Sequence, residues 1–132
     1  LAMEAALKLK EVSYLPCEAY PAGELKHGAI ALVQAGTPAF ALCTQERLLE
    51  KTLSNLREVK ARGAETVCVC PERFSLRASR EADRVWTVPD APEPLLPLLA
   101  MLPMQLLAYH MAVAQGRDVD KPRNLAKSVT VE

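Results

Sequence analysis

Aromatic residues are scarce in this chain, with one Trp, three Tyr and two Phe among 132 residues. A platform on which bases could stack is therefore not expected. Positive charge has no excess either, since 16 Lys and Arg balance 16 Asp and Glu. The electrostatic footprint of a nucleic-acid binder is missing. There is no GxGxxG fingerprint and no P-loop, which removes the usual cradles for dinucleotides and nucleoside triphosphates. The four cysteines, Cys17, Cys43, Cys68 and Cys70, show no CxxC pairing and no companion His cluster, so structural thiols in a reducing cytoplasm are expected and no metal or other cofactor is implied. The acidic pair in "DVD" (118–120) has too few carboxylates for a calcium loop. No repeat or low-complexity tract occurs. The opening "LAMEAALKLK" has no initiator Met, basic leader or cleavage site. It reads as the inside of an amphipathic helix, and the chain is expected to be a fragment of a longer polypeptide.

What is present suits one domain: half of the residues are hydrophobic and 24% are charged. Residues 2–20 read as a helix ending near Pro21-Ala22-Gly23. "GAIALVQAG" reads as a short apolar turn or helix, and residues 38–44 as a strand. From 45 to 62 the periodicity is helical, with Leu48, Leu49, Leu53, Leu56 and Val59 on one side and Gly63 as the stop. "ETVCVCP" is a second strand, and a third lies around 85–88. A Pro-rich connection then leads to a long apolar helix from 95 to about 115. This alternation predicts an α/β sandwich with a parallel sheet, whose ligands bind outside the carboxyl ends of the strands, where strand order reverses. The last helix meets the length of a membrane span. Its Pro97, Pro103, Gln105 and His110 favour a helix buried between the sheet and a partner subunit, so no membrane association is expected. His110 itself is expected to be a satisfied core residue.

A few residues could carry chemistry. Steps of 100° put Glu4, Lys8 and Glu11 within roughly 60° of one another on a helix. This pattern serves equally as a solvated ion-pair ladder or as a site for proton transfer. His27, between Gly23 and Gly28, is either an exposed loop residue or an acid–base group titrating near neutral pH. Lys127 is either a solvated tail lysine or, among Leu125, Ala126, Val129 and Val131, a lysine packed in apolar surroundings and suited to Schiff-base chemistry.

The stretches "EAALKLKEVSY", "AGELKHGAIALV" and "LLAYHMAVAQGRDVDKPRNLAKSVTVE" closely resemble the carboxyl-terminal part of the glutamine–fructose-6-phosphate aminotransferase (isomerizing) family. The resemblance spans nearly the whole chain and is strongest at its two ends. It implies a three-layer α/β/α, flavodoxin-like sugar-isomerase (SIS) fold, with a second SIS subdomain over 1–120 and a tail over 121–132 that contributes to the active site. It further implies that His27 opens the furanose ring, reaching the site from the neighbouring subunit of a homodimer. Glu11 would shuttle a proton between C1 and C2, Lys8 would manage the proton at the C1 oxygen, and Lys127 would engage the C2 carbonyl as a Schiff base. The Ala126 backbone would line the sugar, and Glu4 would orient Lys8. The expected ligands are sugar phosphates, fructose 6-phosphate and glucosamine 6-phosphate. Ala29 stands where the family commonly has Pro. The family's glutaminase cysteine and its phosphate-gripping Ser/Thr loops have no counterpart in these residues. A sugar-phosphate-binding SIS module without turnover, or a catalytically silent oligomerisation domain, are the competing expectations.

Overall fold

The computed structural model describes residues 1–125. These form two compact units, one comprising Leu1 with Tyr20–Pro103, the other Ala2–Ala19 with the chain from Met104 on.

The first unit is built on three parallel strands, β1 (Pro38–Leu42), β2 (Glu65–Pro71) and β3 (Arg84–Val88), in the spatial order β1-β2-β3. The register pairs Ala41 with Cys68 and Val69 with Trp86. Side chains alternate across a strand, so Cys68 and Cys70 share a face. Both are fully buried in one cluster with Cys43, Ala41 and the apolar side of helix α2 (Glu46–Lys60). That side consists of Leu49, Leu53, Leu56 and Val59, at steps of four, three and three. Leu48, expected among them, is exposed, because it lies about 100° round the axis from Leu49. Val67 and Val69, on the opposite face of β2, are buried as well. A central strand covered on both sides reads as the continuous apolar run "TVCVCP". The sheet with its flanking helices is the expected α/β architecture.

Gly63 ends the turn after α2 at φ +91°, and a Cβ there would lie 3.0 Å from the Ala35 backbone. Its carbonyl accepts the Gly36 N–H at 2.9 Å, which ties that turn to the start of β1. Helix α3 is a single turn, Ser75–Ala78, reached through a 3₁₀ turn that buries Phe74.

In the second unit, α1 spans Ala2–Ser13 rather than reaching 20. Tyr14 takes φ +60° and donates its N–H to the Lys10 carbonyl at 3.1 Å. Pro16 then bars Leu15 from helical backbone. Ser13 is fully buried, and its hydroxyl donates to the Leu9 carbonyl. Helix α4 runs from Leu96 to Ala114, and Pro103, inside it, is the last residue of the first unit. It buries a lane at steps of four: Leu96, Ala100, Met104, Ala108 and Ala112. His110 is exposed, contrary to expectation, since it sits about 200° round from Ala108. Leu98, Leu102, Leu106, Tyr109 and Val113 are exposed too.

Candidate functional site

On α1 the three charged residues meet as the helical spacing requires. Lys8 Nζ donates to Glu11 Oε2 at 2.7 Å and stands 3.5 Å from Glu4 Oε1. The hydrogen bond to Glu11 holds the Lys8 ammonium above the ordinary lysine range, against a smaller opposing effect of burial, with the charge of both carboxylates adding to it. Lys8 is therefore a firmly protonated donor at neutral pH. Glu11 is the more buried carboxylate of the two, with its side chain 26% exposed against 52% for Glu4.

One turn beyond Glu11, Tyr14 was not singled out by sequence reasoning. Helix α4 stops through a Schellman turn: Gly116, at φ +66°, donates to the Val113 carbonyl, and Arg117 donates to the Ala112 carbonyl. Asp118 Oδ1 then accepts the N–H groups of Asp120 and Lys121 at 2.9 and 3.2 Å, an Asx turn. The chain next donates the Arg123 N–H to Tyr14 Oη at 2.8 Å. The Arg117 and Arg123 guanidinium groups lie 5.2 and 4.3 Å from the centre of the Tyr14 ring. Leu7, Lys10, Glu11, Tyr14, Arg123, Asn124 and Leu125 together line an open depression of about 380 Å³. The only advance signal for Tyr14 was its place three residues after Glu11, on the same side of the helix.

His27 lies in the first unit, at the end of a 3₁₀ helix, Ala22–His27. Leu25 packs on the core cluster, and three residues per turn then leave Lys26 and His27 outward and exposed. Lys127 and Ala126 lie outside the described residues.

The carboxyl edge of the sheet, where α/β folds bind ligands, is arranged otherwise here. The strand order follows the sequence without reversal, so the three strands make no switch point. Ion pairs span that edge: Arg73 with Asp90 at 2.9 Å and Arg77 with Glu46 at 3.1 Å. A Glu93 carboxylate oxygen accepts the first N–H of α2 at 3.3 Å. Among the described residues no group of His, Cys, Asp and Glu is arranged to hold a metal ion. The Cys68 thiol is held protonated by its contacts with the Cys43 and Cys70 thiols and by burial, as suits a packing role.

The SIS domain family matches residues 1–115, and the chain belongs to that family. Within it, the full length of the chain is 58% identical to glutamine–fructose-6-phosphate aminotransferase [isomerizing] of Caldanaerobacter subterraneus subsp. tengcongensis and 55% identical to that of Symbiobacterium thermophilum. In each case it spans 22% of the relative's length. A solved structure, the C-terminal domain of glucosamine-fructose-6-phosphate aminotransferase from Francisella tularensis, superposes with a TM-score of 0.84 at 43% identity, over 89% of this chain and 33% of that one. Glucosamine-6-phosphate deaminase from Thermotoga maritima superposes with a TM-score of 0.66 at 31% identity, over 97% of this chain and 36% of that one.

Proposed function

We propose that this chain is the carboxyl-terminal isomerase part of a glutamine–fructose-6-phosphate aminotransferase, acting in the cytoplasm in hexosamine synthesis, with the second SIS subdomain over 1–120 and an active-site tail over 121–132. The observation that carries the proposal is the Glu4–Lys8–Glu11 array, in which the Lys8 ammonium and the Glu11 carboxylate lie 2.7 Å apart and Glu11 lines an open depression. The reaction is an internal redox exchange that follows imine formation. The Lys127 amine condenses with the C2 carbonyl of open-chain fructose 6-phosphate, releasing water, and ammonia derived from glutamine then displaces that amine to leave the C2 imine. A proton then leaves C1 and another arrives at C2, so that C1 becomes the aldehyde of glucosamine 6-phosphate. One carboxylate that reaches two adjacent carbons suffices for both transfers, and Glu11 has that role. Lys8 donates to the C1 oxygen while charge develops there. Glu4 keeps the Lys8 ammonium aimed. His27 opens the ring from the neighbouring subunit of a homodimer, and Lys127 holds the C2 carbonyl as a Schiff base, with the Ala126 backbone beside the sugar. The chain's own residues supply all of these groups, and no cofactor enters.

The test replaces the matching segment of the Caldanaerobacter relative with this chain and follows conversion of fructose 6-phosphate to glucose 6-phosphate without glutamine. Turnover in the chimera, lowered roughly 10²–10⁴-fold by Glu11→Gln, is the expected result. A chimera that binds the sugar phosphate and never isomerises it would overturn the proposal in favour of a sensing module.

A further inference from the structure

Three independent local devices order the chain after α4. These are the Schellman turn at Gly116, the Asx turn at Asp118 and the hydrogen bond from Arg123 to Tyr14. The first joins the strap that runs from Gly116 to Asn124 to the end of α4, and the second is internal to it. The third ties it to α1. Tyr14 is well suited to that contact, because its ring offers a π face to two guanidinium groups while its hydroxyl oxygen accepts a backbone N–H. Its backbone is also in the left-handed region, which a Tyr adopts at some cost. Glu11 and Tyr14 are three residues apart, so the tyrosine that receives the strap and the carboxylate proposed as base line one depression.

We propose that Tyr14 is a positioning residue. By clasping Arg117 and Arg123 it holds the strap as a wall of the depression that Glu11 also lines. This rests on the reading of Glu11 as the proton-transferring base. Tyr14 touches no reacting atom and moves no proton. A strap held in one place matters most in the transition state, where small misplacements of reacting groups are costly. Loosening it therefore lowers kcat and leaves the sugar-phosphate KM nearly unchanged.

The experiment uses the same chimera with Tyr14→Phe, which keeps the ring and removes the acceptor, and Tyr14→Leu, which removes both. Two quantities are followed: the kinetics of glutamine-independent isomerisation, and the rate at which trypsin cuts the Arg123–Asn124 bond, read by mass spectrometry. The expected loss of kcat is about tenfold or more for Tyr14→Leu and a few-fold for Tyr14→Phe, with KM changed by less than about twofold. Cleavage should accelerate in the same order. An unchanged cleavage rate in Tyr14→Leu overturns the clasp. Faster cleavage with unchanged kcat, or a rise in KM alone, overturns its link to the chemistry. Should Tyr14→Leu not fold, Tyr14→Phe decides by the same two readings. An unsubstituted chimera without isomerisation counts against the proposed function instead, and the cleavage rates still decide the clasp.

Discussion

Asp83 shows how a single exposed residue can shape the acid response of the fold. One carboxylate oxygen receives the Lys60 ammonium at 2.7 Å, and the other receives the Thr66 N–H at 2.9 Å and the Thr66 hydroxyl at 2.7 Å. The Thr66 hydroxyl oxygen in turn accepts the Asp83 N–H at 3.0 Å, so a fully buried Thr is satisfied from outside the core. The Lys60 hydrogen bond and the two from Thr66 depress the Asp83 carboxyl well below the ordinary carboxylate range. Its folded-state pKa is thus lower than its unfolded one, and the stabilisation is present above about pH 4 and fades as the pH falls towards the folded value. Asp83→Asn should destabilise the protein at pH 7 and flatten the fall in stability below pH 4. Urea titrations of both forms across that range check it, and parallel pH curves would count against it. Lys8 behaves in the opposite sense. Its raised pKa stabilises the fold below the unfolded lysine value and is lost as the pH rises through the folded one. At this scale the sequence is informative about ladders and uninformative about clasps. Glu4, Lys8 and Glu11 are joined by helical spacing alone, whereas Thr66 with Asp83 and Tyr14 with Arg123 are joined by chain reversals that spacing does not show.

At the scale of elements, capping and backbone conformation decide where helices stop. Gly63 was legible as the stop of α2 because a glycine follows the last apolar step of a clear amphipathic pattern. Its role extends further, since a Cβ would come within 3.0 Å of Ala35 at a φ of +91°. Gly63→Ala should therefore cost about 1–3 kcal/mol, more than a surface substitution, measured as a shift in the urea midpoint at unchanged m. The end of α1 was legible in Pro16, which bars Leu15 from helical backbone, and the helix expected over 2–20 ran past it. No glycine marks that end, and Tyr14 itself takes the left-handed conformation, at φ +60°. The helix face of α2 was read nearly in full. Leu53 is 2% exposed within the cluster, and Leu53→Ala should cost roughly 2–5 kcal/mol by leaving a cavity. Leu48→Ala on the exposed side should cost far less, and calorimetry of the pair compares them. Equal losses would mean that the apolar side of α2 is broader than the buried residues indicate.

At the scale of the whole molecule, the chain is electrically neutral, with a pI near 6.9, and α4 exposes Leu98, Leu102, Leu106, Tyr109 and Val113. Among the described residues one helix, Glu93–Ala114, is long and apolar enough to cross a membrane, and 28% of its apolar window is buried inside the fold. Little charge repulsion and a run of exposed apolar side chains favour association. The homodimer proposed above supplies a partner for such a face. Leu102→Glu with Leu106→Glu should shift the chimera from dimer towards monomer in sedimentation experiments while far-UV circular dichroism stays the same. A dimer unaffected by both charges would place the interface elsewhere.

The alternation of apolar strands with amphipathic helices determined the α/β class, the three strands and the buried faces of β2 and α2, because burial follows a local period that needs no knowledge of distant residues. Helical geometry likewise determined that Lys8 would meet Glu4 and Glu11. The tertiary structure alone decided that His110 faces outward and that ion pairs occupy the carboxyl edge of the sheet. It also decided that the Arg117 and Arg123 guanidinium groups lie against the Tyr14 ring. Each of these depends on where the chain turns back on itself. That is settled by contacts between residues up to 109 positions apart, as with Tyr14 and Arg123, and no local period encodes them.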